Sequence, residues 1–290
     1  MTGTAIGDSP GLIGVRDASG SLSDNLRAVS VVWRRELIRF ARARGRIVLA
    51  LAQPAMFLLL LGTGLASAMP SQGSVDFRTF MFPGMMAMTV LFTSIFSSVT
   101  IVFDREFGFM REMLVAPVHR SSLVLGKCLG GATVATAQGA LMLLFAPLVD
   151  VPLDPVMMFL LVLQLALMAF SLTALGIAIA CRMTKMESFQ TVMQFVVMPL
   201  FFLSGAMFPL TSLPTWLNAL TKLNPLSYAV DPLRRTVFSR LDLDPALVAT
   251  MNPGITWNGW RVPTALELGT IAVLGVGLLA LAMVRFGRTE

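Results

Sequence analysis

VMMFLLVLQLALMAFSLTALGIAIAC, Val156 to Cys181, runs for twenty-six residues without one charge. A bilayer's hydrocarbon core needs about 20 such residues as helix. A soluble core helix of this length would carry a charged face at the 3.6-residue period. None is written here, so the segment crosses a membrane. What remains is how many other segments do the same.

Working outward, five more runs of spanning length stand at 47–69, 80–103, 122–149, 190–210 and 264–286, which makes six expected spans. The whole chain agrees with that reading. Of its 290 residues 56% are hydrophobic and only 13% charged, against about a quarter charged in ordinary soluble domains. Lys127 and Glu267 lie near the ends of their runs and are expected to snorkel to the interface. Pro54, Pro83 and Pro199 are expected to kink or interrupt their helices.

The net charge of +6 would point to nucleic acid on a soluble protein. Here the basic residues flank apolar runs, which points to an anionic lipid surface and no nucleic acid. Sixteen of the twenty-two Lys and Arg fall on one side if the N-terminus is cytosolic. The positive-inside rule therefore puts both termini in the cytosol of a multi-pass protein of the cytoplasmic membrane. Cys128 and Cys181 have no metal-site spacing and read as small buried hydrophobes.

Residues 1–24, rich in Gly, Ser and Asp, read as a disordered cytosolic tail. They lack the basic start and apolar core of a cleaved signal peptide. The next stretch, LRAVSVVWRRELIRFARARGR, sets Leu26, Val29, Trp33, Leu37 and Phe40 on one stripe. Arginines 27, 34, 35, 42 and 46 gather opposite. Residues 25–46 are therefore expected to form an amphipathic helix in the headgroup layer.

Gly131, Ala135 and Gly139 recur at every fourth position, a stripe that lets helices approach closely. No ionisable residue sits at the midpoint of any expected span. A proton- or sodium-driven carrier needs one there, so an energy source outside the chain is favoured. Gln53, Gln138, Gln164 and Gln194 can bond between helices or touch cargo but cannot readily relay protons. His119 is the single histidine, and no Gly-Lys-Ser/Thr phosphate loop exists. Catalysis and nucleotide binding are not expected of this chain, and no cofactor or metal is implied.

The densest short charge cluster is FDREFGFMREMLVAP, Phe103 to Pro117. On a helical wheel Phe107, Met110, Met113 and Leu114 share an apolar arc, and Asp104, Arg105, Arg111 and Glu112 a polar one. Glu106 points into the apolar arc, and Pro117 ends the pattern. A short cytosolic helix over 104–118 follows. It either caps two spans or docks a soluble partner through apolar knobs.

The run DREFGFMREMLVAPVHRSSLVLGK resembles the cytoplasmic loop of ABC-2 type permeases, in particular the daunorubicin-resistance and nodulation-export branch. LSGAMFPLTSLPTWLNALTKLNPLSYAVDPLRR, Leu203 to Arg235, is similar to that family's second signature, with Ser204, Gly205, Leu213, Pro214, Asn224, Pro225, Tyr228 and Arg234. The resemblance covers about residues 25–286. It implies an all-α integral membrane protein with six transmembrane helices, an N-terminal amphipathic interfacial helix, a cytosolic coupling helix and external re-entrant helices. It also implies a separate ABC ATPase subunit, which binds ATP and Mg, and a second permease copy or paralogue.

By that likeness Phe107, Met110 and Leu114 would enter the ATPase groove, with Arg105, Arg111 and Glu112 at its rim. Gly108 and Pro117 belong to the same coupling segment, and Glu106 would anchor it to a neighbouring span or to the amphipathic arm. Residues 211–240 are chopped by Pro214, Pro225 and Pro232 into pieces too short to span. They either line an external exit, with Gly205, Pro214, Trp216, Asn224, Pro225, Tyr228 and Arg234, or form an interfacial loop with an aromatic belt. A gradient-driven carrier or channel and a non-transporting assembly protein are the other function classes open at this point.

Overall fold

A computed structural model describes residues 22–68, 77–108, 119–208, 214–241, 244, 248, 251–257 and 259–288. The chain begins with α1 (Leu22–Arg42) and, after Ala43, α2 (Arg44–Ala68). Next come α3 (Phe77–Ser97) and α4 (Val99–Glu106), joined through a turn at Ser98 into one span, Phe77–Glu106. The third span is α5 (Arg120–Leu141), tightened into a 3-10 helix over Met142–Val149. Pro147 explains the tightening: its ring would strike the carbonyl four residues back in an α-helix.

α6 (Pro155–Ala180) and α7 (Met186–Phe202) follow. Then come α8 (Thr215–Leu223), α9 (Pro225–Phe238) and a two-stranded hairpin, β1 (Thr256–Trp257) against β2 (Trp260–Arg261). α10 (Thr264–Arg288) closes the chain.

Five helical segments among the described residues are long and apolar enough to cross a membrane. They match five of the six expected runs. The run at 190–210 is α7, a helix of 17 residues that starts at Met186 and gives way to turns at Leu203. It is shorter than a full span, with its last expected residues outside those described.

α3 is the middle of the bundle, buried along most of its length by the helices around it. From Thr79 to Leu91 every residue is buried. α2, α5, α6 and α9 pack around it, and α10 lies against α5, α6 and α9. α2 and α10 keep outward apolar faces, with Leu49, Leu60, Val273 and Val276 all exposed. The stripe of Gly131, Ala135 and Gly139 turns inward: a Cβ at Gly131 would meet Ser97 and Thr173, and one at Gly139 would meet Val90. It joins spans within this chain.

The helices run on through Pro54, Pro83, Pro199 and also Pro232, which does not cut α9 as expected. Neighbouring helices hold these segments in place whatever bond each proline removes.

The first helix differs from expectation at both ends. It starts at Leu22, so residues 22–24 are helical, and it stops at Arg42. α1 packs lengthwise on α5, because Gly126 and Gly130 of α5 leave no side chain in the way of Val32 and Glu36. Trp33 Nε1 donates to Thr133 Oγ1 at 3.1 Å. Asn25 Oδ1 accepts from the His119 N–H at 3.0 Å and from Ser122 Oγ at 3.3 Å, where α5 begins. The arm is fastened to the bundle while Leu22, Leu26 and Val31 stay exposed.

One glycine is obligatory for a close approach. A Cβ at Gly84 would lie 2.0 Å from the Ala206 carbonyl oxygen, which is backbone and cannot swing away. Gly84→Ala is therefore expected to cost about 1–3 kcal/mol by overpacking. Thermal unfolding in detergent measures it, and an unshifted midpoint would show that the two segments are not pressed together.

Candidate functional site

The C-terminal end of α4 carries three consecutive charges, and each is tied to a different part of the bundle. Asp104 is buried against Lys127 of α5, in direct contact with its ammonium. Arg35 of α1 approaches the same carboxylate at 4.0 Å. Arg105 NH1 donates to the carbonyls of Cys181 and Met183, at 3.0 and 3.2 Å, just past the end of α6. Glu106 Oε2 accepts from the Met186 N–H at 2.8 Å, where α7 starts. The cation meets the carbonyl end of one helix and the anion the amide end of the next, which is what the helix dipoles favour.

Lys127 departs from expectation. It does not reach out to the interface but is 7% exposed, with a further bond to Thr100 Oγ1 at 3.3 Å. The buried carboxylate explains this: an ammonium with a partner in reach is better held inside than unpaired.

The helix stops just beyond these charges. Phe107 is exposed and its ring lies 4.5 Å from that of Phe103. Gly108 has φ +78, a conformation that other residues resist and that commonly ends helices. Asp104, Arg105 and Glu106 thus belong to the second span and do not open a separate helix, as the wheel over 104–118 had them. Met110, Arg111, Glu112, Leu114 and Pro117 lie outside the described residues.

At the opposite end the second motif is a set of helix ties. Asn224 Oδ1 accepts from the Leu226 N–H at 2.9 Å, capping α9, and Pro225 takes the first helical position. Asn224 Nδ2 donates to the Leu200 carbonyl at 2.7 Å, and Ser227 Oγ to that of Leu203 at 3.2 Å. Those carbonyls end α7 and would otherwise be unpaired. Gly205 has φ +75, and its carbonyl accepts from Arg234 NH2 at 2.6 Å. The Arg234 guanidinium lies 4.0 Å over the Phe80 ring.

Burial pushes that guanidinium down to about 10, with Asp231 pulling it back up, so it keeps its charge at neutral pH. Tyr228 donates to the Lys222 carbonyl at 2.9 Å and accepts from Trp257 Nε1 at 3.1 Å. Pro214 precedes α8, whose Trp216 is 67% exposed. α8 is therefore the surface piece of this segment, and α9 is buried.

Sequence reasoning missed one cluster. Arg235 NH2 donates to Asp231 Oδ2 at 2.5 Å and to Glu267 Oε1 at 3.3 Å, and NH1 to the Val262 carbonyl at 3.0 Å. Glu267 is fully buried and does not snorkel. Burial pushes the Asp231 carboxyl up, but its hydrogen bonds and the Arg235 cation outweigh that and hold it below the usual range. Asp231 and Arg235 sit four apart on one helix, a visible signal. Nothing along the chain points to Glu267 as their partner.

A family profile described as ABC-2 type transporter matches residues 27–238. Transport permease ycf38 of Cyanophora paradoxa is 27% identical over 213 residues, covering 72% of this chain and 73% of its own. Nodulation protein J of Rhizobium leguminosarum bv. trifolii is 28% identical over 206 residues, covering 70% and 78%. Both the cluster around Asp104 and the one around Asp231 begin within the matched stretch.

Proposed function

Because this chain belongs to the ABC-2 type transporter family, we propose that it is the membrane half of an ATP-driven exporter in the cytoplasmic membrane. A separate ATP-binding cassette subunit would bind ATP and Mg, and a second copy or paralogue of this chain would complete the pathway. Both termini would face the cytosol. The cargo would be amphipathic: a drug, a lipid-like natural product or a glycan-linked compound.

The observation that carries this reading is the trio Asp104, Arg105 and Glu106. A push on the segment after Gly108 reaches the arm and the third span through Asp104, the fourth through Arg105 and α7 through Glu106. Phe107, Met110 and Leu114 would enter the cassette, with Arg111 and Glu112 at the rim. Arg105, bonded inward, would act as a strut. At the outer end Asn224, Ser227 and Arg234 fasten α9 to the end of α7, so a shift of α7 would be passed to the exit.

The test removes single ties. Glu106→Ala loses a charge-assisted hydrogen bond worth about 1.5–3 kcal/mol, and Gly108→Val strains the turn. Each is expected to lower export about tenfold or more while membrane insertion and ATP hydrolysis persist. Undiminished export in both variants would remove the coupling role. A gradient-driven carrier is the reading for which the buried Asp231, Arg235 and Glu267 leave room. Transport by the purified chain under an ion gradient, without ATP, would favour it.

A further inference from the structure

Asp231 on α9 and Glu267 at the start of α10 are both buried, and both turn an oxygen to Arg235 NH2. The two carboxyls also lie within hydrogen-bonding reach of each other. Each keeps one oxygen, Asp231 Oδ1 and Glu267 Oε2, that is shut off from water and receives no hydrogen bond among the described residues. Two ionised carboxylates cannot bond each other, because neither has a proton to give. Held together they repel, and their bare oxygens have lost water without gaining a donor. One proton removes both faults.

The surrounding groups decide where that proton sits. Arg235 is the cation in contact with the pair, 2.5 Å from Asp231 and 3.3 Å from Glu267. Arg234 acts on Asp231 but turns its guanidinium to the Gly205 carbonyl and the Phe80 ring. Arg261 of β2 acts on Glu267 and gives its NH2 to the Asn252 carbonyl. Of the other helices packed on α9 or α10, α6 carries no charge, and α3 only Arg78, which lies against Gly62 of α2. α5 has Arg120 and Lys127, the latter bonded to Asp104, and α7 only Glu187, in its first turn. Lys222 of α8 sits over Trp257. The buried Asn252 side chain faces Asp231, and its Nδ2 has no partner among the described residues.

Negative charge is therefore better held at Asp231, and the proton at Glu267. A divalent cation in its place would take about six oxygens. No group of three or more acidic, histidine or cysteine side chains stands ready for one among the described residues. A cavity of about 400 Å³ opens beside the pair, lined by Arg235, Asn252 and Arg261.

We propose that Asp231 and Glu267 form a proton-binding site: Glu267 carries one proton at neutral pH and donates it to Asp231, while Arg235 balances the single charge left. α9 and α10 are thus joined by a bond that exists only while the proton is bound. The site goes beyond the export reading and does not depend on it.

Infrared spectra of the purified chain in heavy water and an ester-free detergent test this, because an un-ionised carboxylic acid has its own C=O band. The parent is expected to show that band at neutral pH. Glu267→Gln and Asp231→Asn are each expected to lose it, since neither keeps a pair. Unfolding should release the proton above about pH 5, where a free glutamate is ionised. Stability held by the proton is then lost as pH rises, and the parent's unfolding constant should climb about tenfold more per pH unit than that of Glu267→Gln. No band in the parent, a band that survives either substitution, or equal pH slopes overturns the proposal. The first of these needs no variant, so misfolding of one does not protect the idea. A band lost on adding sodium or calcium chloride at fixed pH makes the pair a cation site and overturns it too. Neither cassette nor ATP enters the measurement, so its failure leaves the coupling reading standing, and failure of the Glu106 test leaves this site standing.

Discussion

Asp104→Ala is expected to destabilise the protein by about 3–5 kcal/mol, because removal of one partner strands a buried charge. Lys127 would lose the carboxylate in contact with it and keep only Thr100, while 7% exposed. Arg35 would also lose its hold on the second span, 4.0 Å away. The double variant Asp104→Ala with Lys127→Met replaces the pair by apolar groups, and it is expected to regain most of the loss. The pair therefore contributes little net stability and much geometric constraint. Unfolding in detergent separates the three proteins. A single variant as stable as the parent, or a double variant no better than the single one, would show that the two charges do not depend on each other.

The same substitution bears on coupling. Asp104 joins the arm and the third span to the end of the second, and Asn25 caps the start of α5 from that arm. α1 is thus held at the start of α5 by hydrogen bonds, along it by Gly126 and Gly130, and at the second span by charge. A helix lying free in the headgroup layer would need none of these. The arm is part of the helix bundle.

What could be read along the chain was what a single segment decides by itself. A run such as Val156–Cys181 is long and uncharged whatever surrounds it, and it is a span. Asn224 with Pro225 follows local capping rules, and it is a helix start. Lys127 and Glu267 show the limit. Their positions near span ends suit both snorkelling and burial, and the decision belongs to Asp104, 23 residues away, and Arg235, 32 residues away. Burial on a given face needs the packing.

Glycine 108 is a different case, because its signal was present. A glycine after charged residues at the end of an apolar run is a helix stop, yet the wheel drawn through it gave a single helix from Asp104. The helix expected over 104–118 was extended too far back, since 104–106 belong to α4. Pro232 erred in the opposite direction. Proline is a strong breaker in water, but in α9 the helix passes through it.

The cluster around Arg235 supplies the second large effect. Arg235→Met is expected to cost about 3–5 kcal/mol, since Asp231 and Glu267 would remain buried with their shared cation removed. Arg235 is the joint between α9, the hairpin's end and the start of α10: it reaches Asp231, the Val262 carbonyl, Thr264 Oγ1 at 3.3 Å and Glu267. Arg235→Lys keeps the charge but not the fork, because an ammonium cannot point at four acceptors in that plane. It should fall between parent and Arg235→Met. Adding Glu267→Gln to Arg235→Met removes one of the two stranded carboxylates and is expected to restore part of the loss. If the glutamine made matters worse, the carboxylate would be held by something other than Arg235. That end of the bundle would then be joined by its hydrogen-bonded backbone alone.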